Sequence, residues 1–311
     1  MIYSGLSNAS VVNYSNRQFQ EVGPLSILTL ITAQMETLTH GERAIASVIL
    51  DRPEDVTRMS STDLASAAGR SQSGVIKLCQ KLGFNGYQDL RLDIARATAS
   101  DIRSDGPAAG VQGTIEAGDD LTLTMQKLLA SKTHAMRETL SVNPPDRIDA
   151  ARDALSAAAR VQLAGVGASS LVARDLSYKL QKLAKPTLYD ADSHAQIALA
   201  ATLGPHDMLL AFSESGKSLE TLHIARTAGS QGARIVTITG LQANRLADLA
   251  GIALRTVADE ERVRSSAITS RDAQLILTDL LFLRLVQTRK DAADLIRTTA
   301  AAVGPLNPNY A

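Results

Sequence analysis

Cysteine is nearly absent: Cys79 is the only one in 311 residues. An intramolecular disulfide and a cysteine-built metal cluster are therefore excluded, as expected of a chain that works in a reducing compartment. The five histidines are scattered and form no pair at metal-ligand spacing, so neither metal nor cofactor is expected. Charge of either sign in excess is also missing, since Lys and Arg together number 32 and Asp and Glu together 32. Any nucleic-acid surface must then be a local patch and not a global field. No run of eighteen apolar residues occurs, and Met1 to Glu21 lack the basic and apolar segments of a signal peptide. The expectation is a cytoplasmic protein with no membrane partner, whose Ser- and Asn-rich first 23 residues form a flexible extension.

The most informative stretch is Phe212-Ser213-Glu214-Ser215-Gly216-Lys217-Ser218-Leu219-Glu220, which follows the apolar run Met208-Leu209-Leu210-Ala211. A buried strand that ends in small hydroxyl residues at a helix start makes an anion cradle. The unpaired N–H groups of the first helical turn face the ligand, the helix dipole favours negative charge, and Ser213, Ser215 and Ser218 offer hydroxyls. A second run, Val161 to Ser170, repeats the pattern with Gly165-Val166-Gly167 and the pair Ser169-Ser170. Serine is also a common helix N-cap, so capping alone is the plainer reading of each turn. Two such turns at the ends of parallel strands point instead to one crevice, because open α/β sheets bind ligands beyond the carboxyl ends of their strands. A dinucleotide fold is the competing reading of the first turn, but Ser170 stands where the third glycine of G-x-G-x-x-G belongs. A small phosphorylated ligand fits better.

Around these turns, strands are predicted near 161–166, 187–190, 208–213, 234–239 and 252–257, separated by helical stretches. That alternation predicts a parallel sheet covered on both faces. Helices are expected at 121–139, 147–159 and 266–289, and a loose tail from residue 304.

Residues 24–99 read as helical throughout. Thr39-His40-Gly41-Glu42 has the form of a capping box, and Pro53 closes the helix that follows. A short helix begins at Ser60 or Ser61 and stops at Gly69. Another runs from Ser71 to Leu82 and ends at Gly83. Two short helices about a glycine turn, the second opening with small polar residues, form the helix-turn-helix pattern. Ser71, Gln72, Ser73 and Lys77 are expected on the exposed face, with Val75, Ile76, Leu78 and Leu82 buried. Arg70 and Lys81 are expected phosphate contacts, in a stretch from 70 to 81 that holds no acid. A purely structural bundle is the plainer alternative. Phe84 and Tyr87 are expected to pack on the bundle. Residues 100–120 lose periodicity and gain Gly, Pro and Ala, which marks a linker.

In both halves the chain resembles the MurR/RpiR family of bacterial transcriptional regulators. The likeness rests on Leu38-Thr39-x-x-Glu42-Arg43, Ser60-Ser61-x-x-Leu64-Ala65 and Lys81-Leu82-Gly83-Phe84-x-Gly86-Tyr87. Toward the C-terminus it rests on Gly165-x-Gly167-x-Ser169, Ser213-x-Ser215-Gly216, Ile238-Thr239 and Ser270-Arg271. The resemblance implies an all-α helix-turn-helix domain at 24–99 and a sugar isomerase (SIS) α/β domain at 121–303, with a five-stranded parallel sheet flanked by helices. It further implies a double-stranded DNA operator, a phosphorylated sugar effector, and self-association as a homodimer or homotetramer. Ser169, Ser170, Ser213, Ser215, Gly216 and Ser218 match the positions that hold phosphate and nearby hydroxyls. Glu260, or equally Glu261, matches the place of a catalytic carboxylate in SIS isomerases, where a carboxylate can also bind a sugar hydroxyl without chemistry. His194 sits on the crevice side, with capping or packing as its plainer role. Ile76-Lys77 departs from the Arg common in the recognition helix, and Lys217 from the Thr or Glu common in the phosphate loop. The competing function is a sugar-phosphate isomerase with an accessory helical domain; its candidate acid and base groups are Glu260, Glu261 and His194. A third is a SIS-like oligomerisation module with an empty crevice.

Overall fold

The computed structural model describes residues 26–35, 37–101, 110–112, 115–258 and 267–303. The expected N-terminal extension, the C-terminal tail, and Glu260 and Glu261 lie outside the described residues. Six helices come first: α1 (Ile27–Gln34), α2 (His40–Asp51), α3 (Pro53–Val56), α4 (Ser61–Ala67), α5 (Gln72–Lys81) and α6 (Tyr87–Asp101). Local chemistry starts them. Thr39 with Glu42 and Ser60 with Asp63 form reciprocal capping boxes on α2 and α4. Pro53 does more than end a helix: α2 stops at Asp51, and Pro53, lacking an N–H, opens α3 at its first position.

Glycine stops the two central helices. Gly69 (φ +62°) lets Arg70 N donate to Ala65 O at 2.8 Å, and Gly83 (φ +89°) lets Phe84 N donate to Cys79 O at 2.9 Å. Both closures are of the Schellman type, which needs a left-handed residue just past the helix. Ile31, Ile45, Ile49, Leu64, Val75, Leu78, Leu90 and Ile94 fill the core of this bundle. Tyr87 packs there as expected, donating its hydroxyl to Met59 O at 3.1 Å. Cys79 is buried, and burial pushes its thiol up to about 11.

The linker segment is not featureless. Within it β1 (Gly110–Gln112) and β2 (Ile115–Glu116) pair antiparallel. Strands this short show no alternation that a pattern can register. Asp119, just after them, is tied by Lys127 at 2.8 Å, which anchors the segment to α7 (Leu121–Ser141).

Then follow α8 (Pro145–Ala157), β3 (Val161–Gly165), α9 (Ala168–Gln181), β4 (Thr187–Leu188), α10 (Ser193–Ala200), β5 (Met208–Ser213) and α11 (Leu219–Ser230). The remainder is β6 (Arg234–Gly240), α12 (Arg245–Asp248), β7 (Ile252–Thr256), α13 (Ile268–Thr288) and α14 (Ala292–Val303). Strands β3 to β7 make one parallel sheet in the order β4-β3-β5-β6-β7. Every residue of β5 is buried, as a central strand covered on both faces requires. Alternation sorts its side chains: Leu210 and Phe212 join Leu163, Leu176, Leu277 and Leu281 on one face, while Leu209 and Ala211 join Leu222, Ile224 and Leu246 on the other.

The amino ends of the strands are pinned by Asp207, which accepts from Arg160 N at 3.1 Å, from Arg160 Nη2 at 2.5 Å and from Gly204 N at 2.9 Å. The Arg160 guanidinium and these N–H groups hold its carboxyl below the usual carboxylate range. A depressed folded pKa means that its stabilisation is complete above the unfolded value of about 3.9. It is lost as pH falls through the folded value. Asp207→Asn is therefore expected to lower thermal stability at neutral pH by about 1–3 kcal/mol, with the gap to the parent closing in acid. A gap that stays constant down the acid limb would show that the carboxylate's charge does not matter.

Candidate functional site

Two regions bring the expected residues together. In the bundle, α4 and α5 lie across the Gly69 turn, and Arg70, Ser71, Gln72, Ser73, Lys77 and Lys81 are all on the exposed side. Ser71 caps α5, accepting from Gly74 N at 3.3 Å, and its hydroxyl is 2.9 Å from that of Ser73. Gln72 Nε2 donates to Ser61 Oγ at 2.8 Å, tying the starts of the two helices together. Gly74 passes close to α2: a Cβ there would stand 3.4 Å from Ile45 Cδ1. Val75, Leu78 and Leu82 are buried as expected, and Ile76 is half-buried. The first turn of α5 carries no acid, so its dipole presents positive potential.

Lys81 is engaged differently from the expected phosphate contact. Its ammonium donates to Thr37 O at 2.7 Å and to Glu42 Oε2 at 3.0 Å. The first acceptor is a backbone carbonyl and the second a carboxylate held low by the Thr39 N–H and by Lys81 itself. Lys81 thus braces α5 against the start of α2. The sequence signal was the Thr39-to-Glu42 box, which already placed a carboxylate near the helix start, but not the fold that brings Lys81 to it.

The second region is the carboxyl edge of the sheet. Chain order runs outward from β3 to β4 on one side and from β3 to β5 on the other, so the order reverses between β3 and β5. That topological switch point is where open α/β sheets leave a crevice. Both hydroxyl-bearing turns flank it, because Gly165 ends β3 in register with Phe212, one residue before β5 ends at Ser213.

Glycines shape each turn. A Cβ on Gly165 would stand 3.0 Å from the Ser169 backbone, so the glycine lets the first turn of α9 close onto the strand end. Gly167 (φ +62°) precedes α9 as its cap residue. Ser169 Oγ accepts from Gln274 Nε2 of α13 at 3.3 Å, and Ser170 Oγ turns back to donate to Gly167 O at 2.7 Å. Across the crevice Gly216 (φ +60°) is pressed on Asn244, whose Oδ1 would lie 2.0 Å from a Cβ there. Lys217 N donates to Ser215 Oγ at 3.2 Å. Ser218 caps α11: it accepts from Thr221 N at 3.4 Å and donates to Glu220 Oε2 at 2.9 Å. Ser213 is buried at the end of β5, opposite Thr239 of β6.

Ser170, Ser215 and Ser218 thus serve the turns themselves, Ser169 is tied to α13, and Ser213 is buried at the strand end. His194 is exposed in the first turn of α10, but the cap is Asp192, which accepts from Ala195 N at 2.9 Å. Two described carboxylates near these turns are engaged: Glu214 Oε2 accepts from Thr256 Oγ1 at 2.7 Å, and Asp190 Oδ1 accepts from Asp192 N at 2.8 Å. Among the described residues no cluster of His, Cys, Asp or Glu is placed to hold a metal ion. No described helix is long and apolar enough to cross a membrane.

Three residues that no motif singled out complete the site. Gln196, fully buried on α10, accepts from Gly165 N at 3.2 Å and donates to Gly165 O at 3.1 Å, standing in for the pairing that the short β4 cannot give. Asn244 caps α12 through Ala247 N at 2.9 Å and donates to Thr239 Oγ1 at 3.1 Å. Arg255 Nη1 donates to the same Thr239 oxygen at 3.0 Å and to Gly240 O at 3.2 Å. Asn244 was legible only as an N-cap before a four-residue helix, which is a weak signal.

Residues 25–101 match the helix-turn-helix domain of the rpiR family, and residues 154–284 match the SIS domain. The chain is 35% identical over 280 residues to YfhH, an uncharacterised HTH-type transcriptional regulator of Escherichia coli (strain K12). That alignment covers 90% of this chain and 99% of the relative. Among solved structures, the Vibrio vulnificus NanR protein complexed with ManNAc-6P aligns with a TM-score of 0.58 and 25% identity, over 91% of this chain and 99% of NanR. The sugar isomerase domain of an RpiR transcription factor from Sphaerobacter thermophilus aligns with a TM-score of 0.51 and 20% identity, over 57% of this chain and 98% of that domain.

Proposed function

The chain belongs to the RpiR family of helix-turn-helix transcriptional regulators, and from that premise we propose that a phosphorylated sugar, held between the β3 and β5 turns, sets how tightly α5 grips an operator. The observation that carries this reading is the placement of two glycine-shaped, serine-bearing helix starts on either side of the switch point. Helices α9 and α11 both begin at the carboxyl ends of β3 and β5, and the unpaired N–H groups of helix starts take a phosphate without a cluster of cations. Ser169, Ser213 and Ser215 supply hydroxyls, and Lys217 lies exposed beside them.

On the DNA side, Gln72, Ser73 and Lys77 at the start of α5 read the major groove, while Arg70 and the helix N-terminus meet phosphate. Two copies present paired α5 helices to a two-fold operator, as half-site geometry requires. The crevice acts as a sensor, not an enzyme, a reading supported by the transcriptional regulator among its relatives.

The test is a thermal-shift titration with a panel of sugar phosphates, with ManNAc-6P, the molecule in the NanR complex, as the first probe. A ligand at 100 times its Kd should stabilise the protein by about 2.7 kcal/mol. Ser213→Ala with Ser215→Ala should weaken that ligand at least about tenfold, the loss of one or two hydrogen bonds to a charged group. An unchanged Kd in the double variant would move the phosphate elsewhere. Turnover of any sugar phosphate would move the function toward an isomerase.

A further inference from the structure

The crevice and the DNA-binding bundle are joined by a path that neither motif predicts, made of one close packing contact, a series of hydrogen bonds and one backbone step along α7. It starts at the phosphate loop, where Gly216 lies on the Asn244 side chain. Asn244 Nδ2 donates to Thr239 Oγ1 at 3.1 Å, and Arg255 Nη1 donates to the same oxygen at 3.0 Å. The backbone of Arg255 is then clasped by Asn143, which accepts from Arg255 N at 2.8 Å and donates to Arg255 O at 2.6 Å. Asn143 Nδ2 also donates to Thr139 O at 2.7 Å, and Thr139 Oγ1 accepts from Val257 N at 2.9 Å. One residue back on α7, Glu138 Oε2 accepts from Ser26 N at 3.3 Å. Ser26 is the cap of α1, whose Ile27 and Ile31 belong to the core of the helix-turn-helix bundle.

Glu138, Thr139 and Asn143 are all buried. Glu138 thus accepts a backbone hydrogen bond at the N-terminal end of α1. The contact joins residues 112 apart in sequence and links the first helix of one domain to the first helix of the other. Helix α1 carries no side-chain cap of its own, so Glu138 supplies what the local sequence omits.

We propose that Glu138 and Asn143 are the positioning residues through which the crevice sets the placement of the DNA-binding bundle. The inference rests on the crevice being the ligand site. A ligand that draws the Gly216 loop inward moves Asn244, and with it the Thr239–Arg255 pair at the end of β7. Asn143 transmits the shift of β7 to α7, and Glu138 hands it to α1. Coupling carried this way requires an element that has two arrangements, each favoured by a different ligand state. Helix α7 is that element, being bonded to the sheet edge at one face and to α1 at another.

The experiment compares full-length Glu138→Ala, Glu138→Gln and Asn143→Ala with the parent. Each is measured for ManNAc-6P affinity and for affinity to a duplex from upstream of its own gene, with and without saturating ManNAc-6P. Glu138→Ala should bind the sugar phosphate and the duplex as the parent does, while the ligand's effect on duplex affinity, about 5- to 150-fold in coupled systems, falls at least about fivefold. Glu138→Gln, whose amide oxygen still accepts from Ser26 N–H, should restore most of it; a merely structural role would instead weaken sugar-phosphate or duplex binding itself and leave the ligand's fold effect intact. A full ligand effect in Glu138→Ala overturns the proposal. If the parent does not respond to ManNAc-6P, the choice of ligand fails and amide exchange without ligand decides. Asn143→Ala should then speed exchange at Ser26 to Leu30 at least about fivefold while the amides of α5 keep the parental rate, and unchanged exchange at α1 overturns the coupling.

Discussion

Gly216→Ala is expected to abolish the response to a sugar phosphate while the helix-turn-helix bundle stays folded. Its backbone sits at φ +60°, where an L side chain costs roughly 1–2 kcal/mol. Its added Cβ would stand 2.0 Å from Asn244 Oδ1 and 2.5 Å from Asn244 Cβ. Asn244 is buried and cannot simply swing aside, because its Oδ1 accepts from Ala247 N and its Nδ2 donates to Thr239. Losing the α12 cap adds about 1 kcal/mol, so the α/β domain should lose about 2–3 kcal/mol in all. The phosphate loop must open, and a cradle built from backbone N–H groups does not tolerate that: affinity should fall at least about a hundredfold, since several charge-assisted bonds are displaced together. Calorimetric titration checks the ligand side, and far-UV thermal melts the fold. A parental Kd in Gly216→Ala would mean that phosphate does not sit on this loop.

The second large effect is expected on the DNA side. Lys77→Ala combined with Gln72→Ala should weaken the specific operator by about 2–6 kcal/mol, from about 1–3 kcal/mol for each base contact. Binding to random duplex should fall far less, because backbone contacts from Arg70 and the α5 N-terminus persist. Lys81→Ala provides the contrast. Because Lys81 is held by Glu42 and Thr37 O, its loss should lower the stability of the bundle and leave the salt dependence of operator binding close to the parent's, whereas removing a phosphate contact reduces the slope by about one. Equal losses on specific and random DNA in the Lys77 and Gln72 double variant would demote both residues to backbone contacts.

Much of this architecture was legible because the signals were local. The strands β3, β5, β6 and β7 follow the predicted spans within about two residues, since central parallel strands are written as short apolar runs between turns. The helices of the bundle announced themselves through the capping box at Thr39, the serine start at Ser60 or Ser61, and glycine stops at Gly69 and Gly83. What escaped was set by partners far away in sequence. Nothing near Lys81 indicates Glu42, 39 residues earlier. Gln196 reads as a polar residue among the alanines of α10 until the brevity of β4 leaves Gly165 needing a partner. Arg255 and Asn143, 112 residues apart, meet only because α7 packs at the end of β7. Strands β1 and β2 are too short for any period to register. Serine content singled out these two turns but not which hydroxyls the turns would use for themselves, as Ser170, Ser215 and Ser218 do.

The measurement that bears most directly on the account is fluorescence anisotropy of the full-length protein on duplex DNA from upstream of its own gene, at one fixed salt concentration, with and without sugar phosphates. The account predicts specific binding that at least one sugar phosphate changes by about 5- to 150-fold, with the change lost in Gly216→Ala. Specific binding that no sugar phosphate alters would contradict the sensing role of the crevice, and no preference for any duplex over random DNA would contradict the reading of α5 as the recognition helix.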